Sequence, residues 1–493
     1  MAKITKIIGY LIAVLALWLG VTTYISSNTE SYLDAYVKKT NNLYNTNGIE
    51  MSVENFEKGF FSSEVAVKID FIDPQAREII AKTLKLPINV NYSIENGPLF
   101  FKNGFGFGLS RIQNSVNIAD YYVESGGIQK YLKSDVIFTS NTTVDFGNNA
   151  NFEGTTNKII IDLEGDELEI SPLEIVGKID VETFQGTMNM KIDSIFVEAK
   201  DEFFKANNIN IDADLKKVFD NGFYLGNFIF NIGKIDTKGA DLPFSLEGAK
   251  LNMTVDINQN DNETVNIDFK IDGDAGKSKL PEAYASLKKA EVSYSLHGMK
   301  LEGLLAFQDY TKELQVKQQD IMARLQSPTT GELDMDVYAE LEKMQTETKD
   351  EMMLLMLRLL KKDSTRLSFT TNLLDKKNEK STFSMNMGYA GDMVFPTDAK
   401  ALEEILKKEW LNLITFDFKV DLEKEYIQNL PVQLQQELAG QLQMGAMLGI
   451  VKENNSSFSF DANYKPKKLM LNGQDRTEML QMLEMGLSKG SLF

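Results

Sequence analysis

Residues 64–71 are Glu-Val-Ala-Val-Lys-Ile-Asp-Phe, a stretch in which apolar and polar side chains alternate. Successive side chains of a β-strand point to opposite faces, so the apolar residues from Val65 to Phe71 would share one face. The alternation returns in later stretches, at residues 159–163, 251–257 and 265–271. One apolar and one polar face in each strand is typical of an antiparallel sheet that water wets on one side.

Clusters of turn-forming residues separate these alternating stretches. They are rich in Asp, Asn and Gly, which favour the tight turns of hairpins. They occur at residues 145–151, 165–166, 220–222 and 258–262. We therefore predict an elongated antiparallel β meander over residues 49–305, with few helices.

The composition changes after about residue 304, where Lys, Glu, Gln, Leu and Met become frequent. These residues favour helices, and a breaker, Ser-Pro-Thr-Thr-Gly at 327–331, divides them into two segments. We predict a helical hairpin over residues 306–363. Strand-like and helix-like stretches then alternate over residues 364–493, which indicates a mixed lobe with helices packed on strands. The fold class predicted for the chain is α+β and rich in β structure.

The N-terminus contains an uncharged, mostly apolar run from Ile7 to Ile25. As a helix this run would be about 28 Å long, close to the thickness of a bilayer's hydrocarbon core. Lys3 and Lys6 precede it, and this lysine bias keeps the N-terminus in the cytoplasm. No Ala-x-Ala cleavage site follows, so we predict an uncleaved single-pass anchor. Residues 1–28 would form a cytoplasmic stub and transmembrane helix, and residues 29–48 a helical neck on the far side.

The charge and cysteine content limit the possible partners. The chain has 71 acidic and 52 basic residues, a net charge of -19, which repels nucleic acid. There are no cysteines, so neither a disulfide nor a thiolate nucleophile or metal ligand is available. We predict that the chain does not bind nucleic acid.

His297 is the only histidine, so a serine triad or a histidine metal site would have to include it. The alternation of its strand places it beside Ser293 and Ser295 on the polar face, which is typical of a solvated strand residue. An apparent phosphate-loop pattern at residues 273–278 fails on its spacing, and an apparent calcium loop that opens at Asp256 fails because Asp261 replaces the turn glycine and Ile267 the bidentate glutamate. We therefore predict no catalytic, cofactor-binding or metal-binding residue and expect the protein not to be an enzyme.

Carboxylates are the exception, because two acids can hydrolyse a glycoside without other groups. Asp162, Glu164, Asp166 and Glu167 cluster near a predicted turn. The alternative function is a carboxylate-dependent hydrolase that acts on envelope glycans. A solvated sheet edge that resists pairing with other chains explains the same residues.

Three short motifs resemble those of a known family. Residues 56–63, Phe-Glu-Lys-Gly-Phe-Phe-Ser-Ser, resemble an aromatic-x-basic-Gly-x-Phe-x-Ser signature. Residues 94–99, Ile-Glu-Asn-Gly-Pro-Leu, resemble a second motif in which His-Gly-Pro is expected and Asn96 replaces the histidine. Residues 469–473 are similar to the closing strand-Asn-Gly of the family. The motif positions are Phe56, Lys58, Gly59, Phe61, Ser63, Asn96, Gly97, Pro98, Asn472 and Gly473.

With its N-terminal anchor, the chain thus resembles the YdgA-like family of bacterial envelope proteins, domain of unknown function 945. The resemblance implies an inner-membrane-anchored periplasmic protein of Gram-negative bacteria without an assigned activity. Both N-terminal motifs also have structural interpretations. Gly59 would permit a bulge or turn before the strand, with Phe60 and Phe61 filling the bend. Pro98 would mark a turn or a strand end.

The leading hypothesis is a non-enzymatic, membrane-anchored envelope protein. Its β-rich body would bind a lipid, a partner protein or another copy of the chain, and Ile7 to Ile25 would contact the membrane. A long sheet with one apolar face needs a cover, and an open part of that face could bind lipid. The face could equally close as an ordinary sandwich. A further possibility is that the hairpin of residues 306–363 docks a second subunit.

Overall fold

The computed structural model of the chain describes residues 2–44, 48–72, 74–102, 104–123, 131–133, 135–163, 165–200, 202–239, 242, 244–326, 335–392, 395–396, 398–428 and 432–480. The contacts divide the chain into two units. The first comprises Met1–Lys200, Asn207–Gly226 and Thr311–Val337, and the second comprises Asp201–Ala206, Asn227–Tyr310 and Tyr338–Phe493.

The first unit begins with one uninterrupted helix, α1 (Ala2–Tyr44), which contains both the predicted anchor and most of the predicted neck. Its side chains are described from residue 16 to residue 41. The buried ones follow helical spacing, with a gap of eight positions after Thr29, and so form one face of the helix: Thr22, Ile25, Ser26, Thr29, Val37 and Thr40. Among the residues that the structure describes, no helix is both long enough and apolar enough to cross a bilayer.

The strands of the first unit form an antiparallel meander. Neighbours pair in the order β1-β2-β3-β6-β7-β8-β11-β12, while β9 and β10 extend the sheet beyond the ends of β8 and β11, and β4 and β5 form a separate hairpin. The strands are β1 (Ile49–Glu57), β2 (Ser62–Phe71), β3 (Ile88–Asn96), β4 (Leu99–Phe100), β5 (Gly106–Phe107), β6 (Ser110–Asn117), β7 (Ile137–Val144), β8 (Asn149–Thr156), β9 (Ile159–Leu163), β10 (Asp166–Ile170), β11 (Leu173–Asp180) and β12 (Gly186–Ala199).

The apolar face of this sheet supplies the core of the first unit. Val65, Val67 and Ile94 form a buried cluster, and Leu33 of α1 packs against it. Asn41 fixes the C-terminal end of α1 to β1, because its side-chain amide donates to the carbonyl of Met51 at 2.7 Å and accepts from its amide at 2.8 Å. From about residue 22 onward, α1 is therefore part of the folded body.

Two long strands, β13 (Glu202–Val218) and β14 (Tyr224–Lys238), have residues in both units. Within the second unit, antiparallel neighbours follow the order β15-β16-β17-β18-β19-β20-β22-β23-β24, and β21 pairs with the end of β22. These strands are β15 (Ala249–Gln259), β16 (Thr264–Asp274), β17 (Leu287–Lys300), β18 (Arg366–Asp375), β19 (Lys380–Tyr389), β20 (Ile414–Glu423), β21 (Lys452–Glu453), β22 (Ser457–Lys465), β23 (Lys468–Leu471) and β24 (Gln474–Asp475).

Longer helices interrupt the strands after β17. Asp398 caps α5 by accepting from the amide of Ala401 at 2.8 Å, and Tyr464 of β22 donates to the carbonyl of Leu411 in α5 at 2.6 Å. The helices after α1 are α2 (Pro74–Ala81), α3 (Leu301–Gln326), α4 (Met335–Arg358), α5 (Ala399–Leu413), α6 (Lys424–Gln428) and α7 (Val432–Met447), with single 3-10 turns at Ile118–Tyr121 and Glu282–Tyr284.

The prediction of a β-rich chain with a long antiparallel meander is confirmed. The alternating stretch at residues 64–71 lies in β2, and its Val65 and Val67 are buried as the alternation requires. The breaker at 327–331, between α3 and α4, lies outside the described residues. One helix was missed: α2 has eight residues and begins at Pro74, and proline is favoured at the first position of a helix.

Candidate functional site

Three segments of the first unit meet at the buried side chain of Asn96, where β3 ends. The Nδ2 group of Asn96 donates to the carbonyl of Gly59, in the loop between β1 and β2, at 3.1 Å. Its Oδ1 accepts from the hydroxyl of Thr29 in α1 at 3.1 Å. Ser26, one turn earlier in α1, donates to the same Gly59 carbonyl at 2.9 Å. A single amide side chain therefore joins a helix, a loop and a strand.

Two glycines of the motifs stand where the backbone leaves no room for a side chain. A Cβ atom on Gly59 would lie 1.9 Å from the carbonyl oxygen of Ser62, and one on Gly97 would lie 1.8 Å from that of Gly108. Real Cβ atoms do not approach other heavy atoms so closely. Glycine is required at both positions, and Gly97 precedes a cis peptide bond to Pro98.

The remaining residues of the N-terminal motifs surround this junction. Ser63 is buried, and its hydroxyl lies 3.4 Å from Nδ2 of Asn96. Phe56 packs against the cluster of Val65, Val67 and Ile94. Lys58 is exposed. Phe56 and Ser63 are therefore in contact with the folded body, whereas Lys58 is not.

A buried ion pair supports the β4–β5 hairpin beside the junction. Nη1 of Arg111 lies 3.5 Å from Oε2 of Glu95 and donates to the carbonyl of Gly104 at 3.0 Å. The other oxygen of Glu95 accepts from the backbone amides of Phe101 at 3.2 Å and Lys102 at 2.9 Å. The hairpin therefore has backbone hydrogen-bond partners within the protein.

Aromatic side chains project into solvent from both loops. Trp18 of α1 stacks on Phe61 with ring centroids 5.5 Å apart and meets Phe101 edge-on at 6.3 Å. The prediction that Phe60 and Phe61 fill the bend is wrong, because both are exposed. We call the following exposed side chains the phenylalanine rim: Phe60, Phe61, Phe101, Phe105 and Phe107.

The third motif belongs to the second unit, where Asn472 and Gly473 connect β23 to β24. Both have positive φ, 51° and 80°, as a two-residue type I′ hairpin turn requires. The Asn472 side chain accepts from the amide of Asp461 at 3.0 Å. This motif closes a hairpin and does not join the junction at Asn96.

His297 forms a hydrogen bond with Asp268, with 2.8 Å between Nε2 and Oδ1. Asp268 lies on the neighbouring strand β16. Among the described residues, the imidazole of His297 is therefore hydrogen-bonded to a carboxylate. Neither a serine nor a second histidine takes part in this bond. This contact with a carboxylate agrees with the predicted position of His297 on the polar face of its strand.

The predicted acidic cluster lies at the β9–β10 turn. The amide of Gly165 donates to Asp162 at 3.2 Å, and Lys133 lies 3.3 Å from the same carboxylate. Both contacts lower the pKa of Asp162, the hydrogen bond more strongly. A general acid needs a raised pKa, so Asp162 is suited to the ionised state. Glu164 lies outside the described residues.

The polar face of the first sheet contains an open pocket with a volume of about 740 Å³. Side chains along it bond to one another across the strands: Ser93 donates to Glu64 at 2.9 Å, and Asn141 donates to Glu153 at 2.9 Å. Glu64 and Glu153 lie four strands apart, which at the usual strand spacing is about 19 Å. Glu64 and Glu153 are therefore too far apart to act as a glycosidase pair, whereas Glu174, the third acid on this surface, lies on β11 beside the strand of Glu153.

Acidic groups also converge in the second unit. Carboxylate oxygens of Asp375, Glu379 and Glu425 lie within 4.8 Å of one another and could hold a cation. Protein groups already contact them, since Lys377 lies 2.5 Å from Glu425 and the amides of Lys377 and Glu379 donate to Asp375. These contacts account for the cluster without an ion.

Glu423 lies beside these acids at the end of β20. Burial raises the pKa of its carboxyl, and the negative charges of Glu379, Asp421 and Asp375 raise it further. Oδ1 of Asp421 and Oε2 of Glu423 are buried without a hydrogen-bond partner among the described residues. An ionised Glu423 is therefore unfavourable in the folded state.

Sequence analysis did not identify Ser26 and Thr29 as members of the site. The available signal was a row of small polar residues on one face of the helix, at the end of the apolar run and directly after it: Thr22, Ser26 and Thr29. The pair of Glu95 and Arg111 was also missed, because an acid and a base on neighbouring strands have no sequence signature.

Comparisons with known proteins gave one match. A family model described as "Bacterial protein of unknown function (DUF945)" matches residues 1–478. Searches of the curated proteins and of the solved structures found no match.

Replacing Asn96 tests the junction. We expect Asn96→Ala to lower the free energy of unfolding by about 1–3 kcal/mol, because the Gly59 carbonyl and the Thr29 hydroxyl lose a buried partner. Asn96→His should recover most of the loss, since a neutral imidazole also offers one donor and one acceptor. Urea denaturation measures both. Equal stability of the alanine variant and the wild type would show that the junction contributes nothing.

Replacing Glu423 tests the acidic group. A raised folded-state pKa means that the stabilising contribution of Glu423 is present at low pH and is lost as the pH rises through that pKa. Glu423→Gln should therefore raise the melting temperature at pH 8, and the gain should vanish near pH 4. The control, Glu453→Gln, removes an exposed ion pair with Lys424 and should not stabilise. A gain that does not depend on pH would contradict the assignment.

Proposed function

The chain belongs to the DUF945 family of bacterial proteins, and we propose that it is a non-enzymatic, membrane-anchored envelope protein whose β-rich body binds lipid. The N-terminal part of α1 is the proposed anchor in the inner membrane, with the N-terminus in the cytoplasm and the body in the periplasm. The support for the anchor is the uncharged run from Ile7 to Ile25 and the preceding lysines.

The observation that carries the lipid proposal is that side-chain burial decreases along the apolar face of the first sheet. Where α1 contacts this face, Val65, Val67 and Ile94 are buried. On β7, β8, β11 and β12 the cross-strand register continues the face, yet its apolar side chains are only half-buried. They are Phe138, Phe152, Leu173, Ile175, Ile179, Met188, Met190 and Ile192. The opposite face carries the exposed polar residues, so the two faces differ as a one-sided lipid surface would.

The shape of this face suits an unbranched apolar ligand. The ring of Phe138 lies over Gly154, and the ring of Phe152 lies over Gly177. A Cβ atom would be 2.9 Å from a ring carbon at Gly154 and 2.4 Å from one at Gly177. The rings therefore lie along the sheet. The flexible methionine side chains of this face, Met188 and Met190, adapt to irregular apolar ligands. Each methylene group of an acyl chain buried there would contribute about 0.8 kcal/mol.

Two of the candidate catalytic residues, Asp162 and His297, favour binding over catalysis. The lowered pKa of Asp162 opposes a role as a general acid. His297 is paired with Asp268 on a polar strand face. These contacts of Asp162 and His297 support the proposal that the protein acts by binding. The contact with Glu169 raises the pKa of Glu167, which lies opposite Asp162 across β9 and β10, so Glu167 is the residue that remains for the glycan-hydrolase alternative.

Lysine substitutions at two neighbouring residues of β11 distinguish lipid binding on the apolar face from a general effect of an added surface charge. Ile175 lies on the half-buried apolar face, whereas Val176 points to the opposite face and is 50% exposed. We expect Ile175→Lys to abolish lipid that remains with the gently extracted protein, because a charge cannot be buried against an acyl chain. Val176→Lys should retain it. Native mass spectrometry with lipid analysis measures both.

Circular dichroism should show that both lysine variants keep the β structure. Wild-type protein that carries no stoichiometric lipid would overturn the lipid proposal and leave a partner protein or self-association as the ligand of the body. Equal lipid loss in both variants would place the lipid elsewhere on the molecule.

A further inference from the structure

We propose that the phenylalanine rim enters the outer interface of the same membrane that holds α1, so that the first unit rests on the bilayer. The rim consists of Phe60, Phe61, Phe101, Phe105 and Phe107. This inference rests on the proposed anchor, but it concerns different residues and a different contact.

The length of the apolar run supplies the first argument. A helix needs about 20 residues to cross a hydrocarbon core of about 30 Å. If the membrane ended before Trp18, residues 7–17 would be the only uncharged apolar residues left, and they span about 16 Å. The run is long enough only when it continues through Trp18 to Ile25. Residues 18–25 must therefore lie at membrane depth in an anchored protein.

The contacts of α1 place protein loops at that same depth. Trp18 stacks on Phe61 at 5.5 Å, and Ser26 donates to the carbonyl of Gly59 at 2.9 Å. Trp18 and Ser26 are eight residues apart, about 12 Å along the helix. The loop between β1 and β2 and the β4–β5 hairpin thus flank the last two turns of the run. They cannot stay clear of the membrane while α1 crosses it.

The exposed chemistry of these loops suits the interface. Phe105 is 74% exposed and Phe107 is 67% exposed, which is unfavourable in water and favourable among acyl chains. Trp18 stands between the two loops, and aromatic residues of this type concentrate at the membrane surface. Lys58 precedes Phe60 and Lys102 follows Phe101 in the chain, and both can reach lipid phosphates with their flexible stems.

The backbone of the hairpin also suits a region of low polarity. Leu99 pairs with Phe107 and Phe100 pairs with Gly106 across β4 and β5. Glu95 accepts from the amides of Phe101 and Lys102, as described above. Backbone polar groups near the hydrocarbon core need such internal partners, because water is scarce there.

The absence of native cysteines makes a direct test simple. In the full-length protein, Phe105→Cys places a single label on the rim, and Ile79→Cys places one on α2. The Ile79 side chain is 66% exposed and follows the far end of β2, which spans about 30 Å from the rim end of the strand. The label is an environment-sensitive fluorophore, and the protein is reconstituted into vesicles with and without spin-labelled lipid.

We expect the label at position 105 to shift to shorter wavelength and to be quenched severalfold more by the spin-labelled lipid than the label at position 79. Phe107→Cys should behave like Phe105→Cys. Equal quenching at positions 105 and 79 would overturn the inference. So would a shift at position 105 that needs no lipid and grows with protein concentration, because it would identify another copy of the chain as the partner.

Alkaline carbonate extraction separates the two proposals. Protein that stays with the membrane after extraction while the label at position 105 is not quenched would leave the anchor intact and reject the rim. Protein that is extracted from the membrane would reject the anchor itself. Both labelled variants should show the same β content, because both replaced side chains are exposed.

Discussion

The hydrogen bonds of Asn96 hold the first unit together at its N-terminal end. One side chain accepts from Thr29 in α1 and donates to the carbonyl of Gly59, and so fixes the helix, the loop and the end of β3 to one another. Each such bond contributes about 1 kcal/mol net, and Ser26 adds a further bond to the Gly59 carbonyl. The position of the loops beside α1 depends on this junction.

The junction determines which part of the sheet is covered. Fixed at Asn96 and again at Asn41, α1 lies along β1 to β3 and buries their apolar face. The same face on β7 to β12 is half-buried, which is the basis of the lipid proposal. The junction also holds the phenylalanine rim beside the last two turns of the apolar run. Both proposals about membranes and lipids therefore follow from where one helix is attached.

The local features of this fold were predictable, and the long-range ones were not. Alternation at residues 64–71 predicted β2, and the Asp-, Asn- and Gly-rich residues 145–151 predicted the turn between β7 and β8, because strand periodicity and turn chemistry depend on neighbouring residues. The bond between Thr29 and Asn96 joins residues 67 positions apart, and no spacing rule reports such a contact. Phe60 and Phe61 were expected inside the bend, but an apolar residue in a sequence can also be exposed.

The most direct test of this account is hydrogen exchange along α1 in the full-length, membrane-embedded protein. If the junction at Asn96 attaches the helix to the sheet, the amides of residues 26–41 exchange as slowly as those of β2 and β3, since all of them open together. Exchange of residues 26–41 well before β2 would contradict the account, because it would make this segment a free neck and not part of the body.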